Sequence, residues 1–318
     1  MPNFASIDTG SNTLRLLIAN IGEGKNIKDI YYERRVTRLG SGIDKRKIID
    51  KDNFELSINA FKDFSNVISK FNVIKTIAFG TSALREALNA EEFIKEVYEE
   101  TGIMIRVISG EKEAELTLKG IILSFPTHVI EEQSVLIVDI GGGSTEFIFL
   151  KNKEPIFMDS LPLGVIKLVN RFLKSDPIKK EELEALINEI DKYIFDLKGK
   201  TKAIFGDEFL FVGTAGTFST IASVDLMLEE YKRDKIHLHT IPYGRLEEIN
   251  DGLISLTIDE RKKLKGLEPE RADLIVPGMV LTLRIMKLFD IKELMISDYG
   301  ILEGALLELY EEFTMGNA

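Results

Sequence analysis

The chain contains no cysteine, which excludes disulfides and thiolate-bound metal. No apolar run approaches the roughly 18–20 residues that span a bilayer, so no membrane partner is expected. The N-terminus, Met1-Pro2-Asn3-Phe4, lacks a basic n-region and enters a strand almost at once, so no signal peptide is read there. Positive charge is not in surplus either. Lys and Arg number 41 against 52 Asp and Glu, and the net charge of −11 argues against nucleic acid as a partner. Low-complexity tracts and long linkers are also missing. What is left is an ordinary globular composition, 44% apolar and 29% charged. At 318 residues there is room for two domains with proper cores, and a cytoplasmic protein is expected.

One stretch organises the rest. Val135-Leu136-Ile137-Val138 drives into Asp139, then Ile140, the glycines Gly141, Gly142 and Gly143, and Ser144-Thr145-Glu146 before a second apolar run to Leu150. Short Val- and Ile-rich runs read as strands with a tight turn between them. Successive glycines let backbone N–H groups approach an anion with no side chain in the way. Asp139 and Glu146 flank the turn and suit a hydrated Mg²⁺, which takes one or two carboxylates plus substrate oxygens. Taken alone, the three glycines fit a plain hairpin equally well.

The pattern occurs twice. Ala5-Ser6-Ile7-Asp8-Thr9-Gly10-Ser11-Asn12-Thr13-Leu14-Arg15 is again strand, aspartate, Gly-Ser turn, strand. Two copies, each opening an α/β unit, predict two related domains facing one cleft, the layout of the actin, sugar kinase and Hsp70 ATPase-like fold.

Along the chain, Ile27–Leu39 reads as a strand carrying Arg34, Arg35 and Arg38, a candidate anion cluster in an acidic protein. Lys45-Arg46-Lys47 fits a solvated charged face. Phe54–Phe71 has a helical apolar period. Val73–Phe79 is a buried strand running into a helix capped by Thr81 or Ser82, with Arg85 one turn in. That is either an anion site or an ordinary cap. Glu111 and Glu113 lie in the first turn of a helix reaching about Leu123, where acidic residues complement the dipole. Phe209–Val212 leads through Gly213, Thr214, Ala215, Gly216 and Thr217, a second glycine turn that is a weak signal by itself. Glu270-Arg271-Ala272-Asp273 opens a long apolar helix to Leu288. His237 and His239 alternate on an expected strand, without a third ligand of the usual kinds nearby.

Taken together these motifs resemble the exopolyphosphatase/guanosine pentaphosphate phosphohydrolase family of the actin-like superfamily. The matching segments are 7–13 with Arg15, 81–87, 108–114, 138–146, 213–217, 270–273 and 296–304. The resemblance implies an α/β fold of two actin-like, ribonuclease H-like domains flanking an inter-domain active-site cleft. Domain I would span 1–122 and be completed by the C-terminal helix 300–318, and domain II would span 123–299. Asp8 and Asp139 would face each other across the cleft.

The resemblance also implies Mg²⁺-dependent hydrolysis of a terminal phosphoanhydride, releasing orthophosphate. Glu113 would be the catalytic base. Asp139 and Glu146 would hold the metal, with Asp8 contributing through water. Gly10-Ser11-Asn12 and Gly141–Ser144 would be the phosphate loops, and Arg15, Arg35, Arg85 and Arg271 would meet substrate phosphates. The 213–217 turn would hold a nucleoside or more phosphate. Inorganic polyphosphate, guanosine pentaphosphate and guanosine tetraphosphate are the expected partners, and a homodimer is expected. Lys112 departs from the glutamate of many relatives. The sequence ends without the C-terminal helical domains of long members, so short polyphosphates are expected to be favoured. Two rival readings stand beside this one: an ATP-dependent kinase or ATPase of the same superfamily, and a non-catalytic guanosine tetraphosphate sensor.

Overall fold

The computed structural model describes residues 2–22, 26–125, 133–202 and 209–316. It divides into two compact units, residues 1–124 with 299–318 (unit 1) and residues 125–298 (unit 2).

Unit 1 has five strands: β1 Asn3–Thr9, β2 Thr13–Ile21, β3 Ile27–Val36, β4 Val73–Gly80 and β5 Ile105–Val107. Their order in the sheet is β3-β2-β1-β4-β5. The first three form an antiparallel meander, and β4 and β5 run parallel to β1. Helices α1 Ile43–Arg46, α2 Lys51–Ile68, α3 Ser82–Glu86, α4 Ala90–Thr101 and α5 Gly110–Ser124 lie between and after the strands, and the C-terminal helix Ile301–Gly316 belongs to the same unit. Strand β1 is covered on both faces and is buried at every position after Asn3, although Ser6, Asp8 and Thr9 are polar. Ala5 and Ile7 pack with Leu14, Leu16, Phe61, Phe64 and Phe93, on the side of α2 and α4. Phe4 packs with Leu17, Leu116, Leu302 and Leu306, on the side of α5 and the C-terminal helix. Those two helices cross tightly: a Cβ on Gly304 would overlap the Leu116 carbonyl.

Unit 2 repeats the plan. Strands β6 Val135–Ile140, β7 Thr145–Lys151 and β8 Glu154–Leu161 form the meander. β9 Leu210–Thr214 runs parallel to β6, and β11 Glu293–Ser297 runs parallel to β9. β10 Thr240–Pro242 is an added antiparallel edge, giving the order β10-β11-β9-β6-β7-β8. The helices are α6 Val165–Phe172, α7 Lys180–Thr201, α8 Ala215–Asp225, α9 Arg233–Ile236, α10 Tyr243–Ser255, α11 Ile258–Arg261 and α12 Ile275–Phe289. Among the described residues no helix is long and apolar enough to cross a membrane.

Two local expectations are corrected. The strand expected over His237–His239 is absent: α9 ends at Ile236 and β10 starts at Thr240. His239 instead meets Asp225 at 2.8 Å, and His237 Nδ1 accepts the Asp298 amide at 3.4 Å, so the two imidazoles serve different partners. Glu270–Asp273 does not open the long helix, because Pro269–Arg271 forms a separate 3₁₀ turn before α12. In the Lys45–Lys47 group, Arg46 pairs with Asp50 and Lys47 with Glu86.

Candidate active site

The parallel strands of unit 1 end level with one another. Thr9 lies opposite Gly80, and Gly80 opposite Val107. Their carboxyl ends therefore deliver the Gly10–Asn12 turn, the start of α3 and the start of α5 to one edge, where open α/β sheets bind ligands. The turn closes with Gly10 N–H donating to Thr13 O at 3.2 Å. Its carbonyls are clamped by the segment after β3: Ser11 O accepts from the Gly40 amide at 2.7 Å, and Asn12 O from the amides of Thr37 and Arg38 at 3.1 and 3.0 Å. In a trans peptide the N–H points opposite the preceding C=O. The Asn12 amide is therefore turned away from that clamp, and no described residue accepts it.

Asp8 and Arg15 are directly opposite on β1 and β2. Arg15 donates to Asp8 Oδ2 through Nε at 2.9 Å and Nη2 at 2.6 Å. Glu113, in the first turn of α5, accepts from Arg85 Nη1 at 2.8 Å, and the same nitrogen donates to Ile108 O at 2.9 Å. Their side chains are 13% and 23% exposed, a mostly buried pair that reaches solvent at one end. Helix α3 is a single turn whose Thr81 side chain makes no capping bond and donates instead to Thr9 O at 3.4 Å, so Arg85 is held by Glu113 of α5 and by Ile108 O just after β5. Lys112 turns away to the C-terminal helix. Burial works against its charge, but hydrogen bonds from Glu308 and Glu115 outweigh that and raise its pKa.

Unit 2 repeats the bond that closes the turn. Gly141 N–H donates to Ser144 O at 3.0 Å, the counterpart of Gly10 to Thr13. Here the clamp is the start of α6, where Val165 N–H donates to Gly141 O at 3.0 Å and Ile166 N–H to Gly142 O at 2.9 Å. The amides of Gly142 and Gly143 thus point away from α6, and no described residue accepts them. Gly164 permits this approach, since a Cβ there would overlap the backbone of Gly142 and Gly143. Such a run of outward amides is an anion-binding concavity.

Asp139 and Glu146 are cross-strand partners at the position of Asp8 and Arg15. Thr214 and Ser160 extend the same row on β9 and β8. The hydroxyls of Ser144 and Ser160 both donate to Glu146 Oε1, at 2.8 and 2.7 Å, fixing the carboxylate without neutralising it. The two carboxylates stand directly opposite each other and are 7% and 1% exposed. Among the described residues no group of three or more His, Asp or Glu could hold a metal. Two carboxylates are a donor set that suits Mg²⁺, which keeps waters and takes phosphate oxygens.

Beside this row, Thr217 Oγ1 donates to Ile140 O at 2.9 Å, bracing the N-terminus of α8 against the end of β6. The Arg271 guanidinium lies on Gly216, where a Cβ would stand 2.5 Å from Nη1 and Nη2. Arg271 Nε also donates to Glu268 Oε2 at 3.0 Å.

Two expected site residues are not brought to these edges. Arg35 pairs with Leu14, on the α2 face of the sheet opposite to Asp8 and Arg15. It lies 2.6 Å from Glu33 and 3.6 Å from Asp63 of α2, half exposed. Its neighbour Arg34 is the residue opposite Arg15 and so shares the row. Gly213 lies within β9 rather than in the turn, and its missing Cβ makes room for the Phe218 ring. The structure adds Ser160, Gly164 and Arg34. Only Arg34 had a sequence signal, its place in the arginine cluster.

Two sheets of this repeated topology, each with a clamped glycine turn at the carboxyl end of its first strand, define a phosphoryl-handling protein of the actin-like fold. The relatives agree. Residues 17–313 match the Ppx/GppA phosphatase family, and the chain belongs to that family. The crystal structure of a Ppx/GppA family member from Aquifex aeolicus superposes with a TM-score of 0.81 at 32% identity, covering 98% of each chain. An exopolyphosphatase structure from Cytophaga hutchinsonii gives 0.90 at 27% identity, again covering 98% of each. In sequence, a bifunctional 3-dehydroquinate synthase/phosphatase of Fusobacterium nucleatum is 35% identical over 96% of this chain, which spans only 46% of that relative. Exopolyphosphatase 2 of Mycobacterium tuberculosis is 28% identical over 96% of this chain and 98% of its own length.

Proposed function

We propose that the chain is an exopolyphosphatase that hydrolyses the terminal phosphoanhydride of inorganic polyphosphate, releases orthophosphate, requires Mg²⁺ and also accepts guanosine pentaphosphate. The observation that carries this reading is the Glu113–Arg85 pair at the same strand edge as the Gly10–Asn12 turn. A carboxylate fixed at one oxygen, beside amides suited to phosphate, is what water attack on phosphorus calls for. The Mycobacterium and Cytophaga relatives, both named exopolyphosphatases, support the substrate class.

In this mechanism the water oxygen bonds to the terminal phosphorus, its proton passes to Glu113, and the bridging P–O bond breaks. The products are orthophosphate and a chain one phosphate shorter. Arg85 orients Glu113, and the turn amides take the non-bridging oxygens. Asp139 and Glu146 would hold Mg²⁺, which when bound neutralises charge on phosphate oxygens. Little covalent help is needed from the protein, because phosphoryl transfer depends mainly on position and charge.

The test is phosphate release from tripolyphosphate, long-chain polyphosphate, guanosine pentaphosphate and ATP, each with Mg²⁺ and with EDTA. Release from polyphosphate that EDTA abolishes is expected. Release from ATP alone would make the protein an ATPase. Guanosine tetraphosphate binding with no hydrolysis of any substrate would make it a sensor.

A further inference from the structure

The most deeply buried arginine among the described residues of unit 2 has no part in the scheme above. Arg261, the last residue of α11, is 2% exposed. Its guanidinium has no carboxylate within ion-pair distance among the described residues. It donates instead to three main-chain carbonyls: Nε to Leu253 O at 2.8 Å, Nη2 to Leu256 O at 2.8 Å and Nη1 to Ala272 O at 3.2 Å. Burial lowers its pKa from the usual arginine range, opposed by the more distant charges of Asp176 and Asp273. A buried cation left without a counter-ion is expensive and needs a reason to be there.

The first two acceptors supply part of one. Leu253 and Leu256 lie at the C-terminal end of α10, where carbonyls lack intrahelical partners and the helix dipole favours a cation. The third acceptor lies elsewhere. Ala272 directly follows Arg271 in the turn Pro269–Arg271. Arg271 in turn lays its guanidinium on Gly216, in the first turn of α8. A helix N-terminus repels a cation, so the dipole of α8 does not by itself hold Arg271 there. Something must offset that repulsion. Glu268 Oε2 accepts from its Nε, and the backbone beneath it is pinned by Arg261.

We propose that Arg261 is a positioning residue, which ties the turn carrying Arg271 to the end of α10 and so keeps Arg271 over the α8 N-terminus, ready for a substrate phosphate. The inference rests on the reading of Arg271 as a phosphate-binding residue. It assigns Arg261 no contact with substrate. The binding energy realised at Arg271 is then set partly by a group whose polar atoms all face main-chain carbonyls.

The experiment is a double-mutant cycle on the full chain. Tripolyphosphate affinity is read by calorimetry, KM and kcat by phosphate release, and melting temperature alongside. Arg271→Gln should weaken binding about tenfold, the size of one lost charge-assisted hydrogen bond. Arg261→Met should raise KM and Kd by a similar factor while changing kcat little. In the Arg271→Gln background, adding Arg261→Met should leave Kd unchanged although the melting temperature still falls. Arg261→Lys, which keeps the charge and a donor, should recover part of the affinity, and it replaces Met throughout the cycle if Arg261→Met does not fold. Equal, additive losses in both backgrounds would overturn the inference, as would a lower melting temperature with unchanged Kd. If Arg271→Gln alone leaves Kd unchanged, the phosphate-binding reading of Arg271 fails, and the proposal for Arg261 falls with it.

Discussion

Replacing Glu113 by Gln separates chemistry from architecture, because the two roles open to this side chain predict losses of different size. Glutamine keeps the length and one acceptor oxygen, so Arg85 Nη1, now 2.8 Å from Oε2, retains a partner and its second bond to Ile108 O. What is lost in stability is the charge assistance of one hydrogen bond in a mostly buried pair. A charged hydrogen bond contributes about 1.5–3 kcal/mol and a neutral one about 1, so the difference is about 1–2 kcal/mol. That lowers the melting temperature by a few degrees. What is lost in chemistry is the proton acceptor, at about 10²–10⁴ in rate, or roughly 3–5 kcal/mol of barrier. Initial rates at saturating tripolyphosphate give kcat, calorimetry gives Kd, and a thermal melt gives stability, all on one preparation. The expected result is a kcat reduced at least a hundredfold, Kd within about threefold of wild type, and a modest drop in melting temperature. A kcat close to wild type with the same drop in melting temperature would refute the reasoning. Glu113 would then be only Arg85's anchor and a complement to the α5 dipole.

Three further outcomes follow from the geometry. Arg34→Gln should raise KM for tripolyphosphate and Arg35→Gln should not, since only Arg34 shares the row of Asp8 and Arg15; the opposite ranking in steady-state kinetics would contradict the register. Ser160→Ala should weaken Mn²⁺ binding about tenfold, as loss of an outer-shell partner does, and unchanged Mn²⁺ affinity by electron paramagnetic resonance would remove Ser160 from the metal's support. Gly304→Ala should destabilise by about 1–3 kcal/mol in a urea melt, because its Cβ would overlap the Leu116 carbonyl; a stabilised variant would show that the crossing of α5 with the C-terminal helix has slack.

Much of this was legible in the sequence because the relevant signals are local. Strand, aspartate and glycine turn are adjacent in the chain, so each copy of the hairpin can be read off a dozen residues. Register is not local. A slip of one residue turns a strand's side chains to the other face, and nothing in Glu33-Arg34-Arg35 says which arginine stands opposite Arg15; the pairing with β2 decides it. Gly164 and Ser160 escaped notice for the same reason. Their contacts with the turn and with Glu146 join segments some fifteen to twenty residues apart, through backbone approach and a cross-strand pair. Gly213 looked like part of a turn because it stands next to one, yet it serves the Phe218 ring. His237 and His239 looked like a strand pair because alternation is all a sequence can offer over three residues, and the chain there only links α9 to β10.

The repeat also makes its own differences informative. The two hairpins match in turn length, in the glycine that closes the turn and in the aspartate one residue before the strand ends, so Arg15 and Glu146 occupy the same place. In unit 1 that place is filled by a cation bonded twice to Asp8, and the next strand adds Arg34. In unit 2 it is filled by a second carboxylate, and the next strand adds a serine that donates to it. One row thus holds two positive charges and one negative, and the other holds two carboxylates beside a serine and a threonine. A dication at Asp8 would compete with a guanidinium that already satisfies it. A dication at Asp139 and Glu146 would relieve their repulsion. The contribution to the metal expected of Asp8 therefore has a better candidate in its bond to Arg15. Differences at two facing positions of a repeated hairpin thus reverse the sign of the row's net charge.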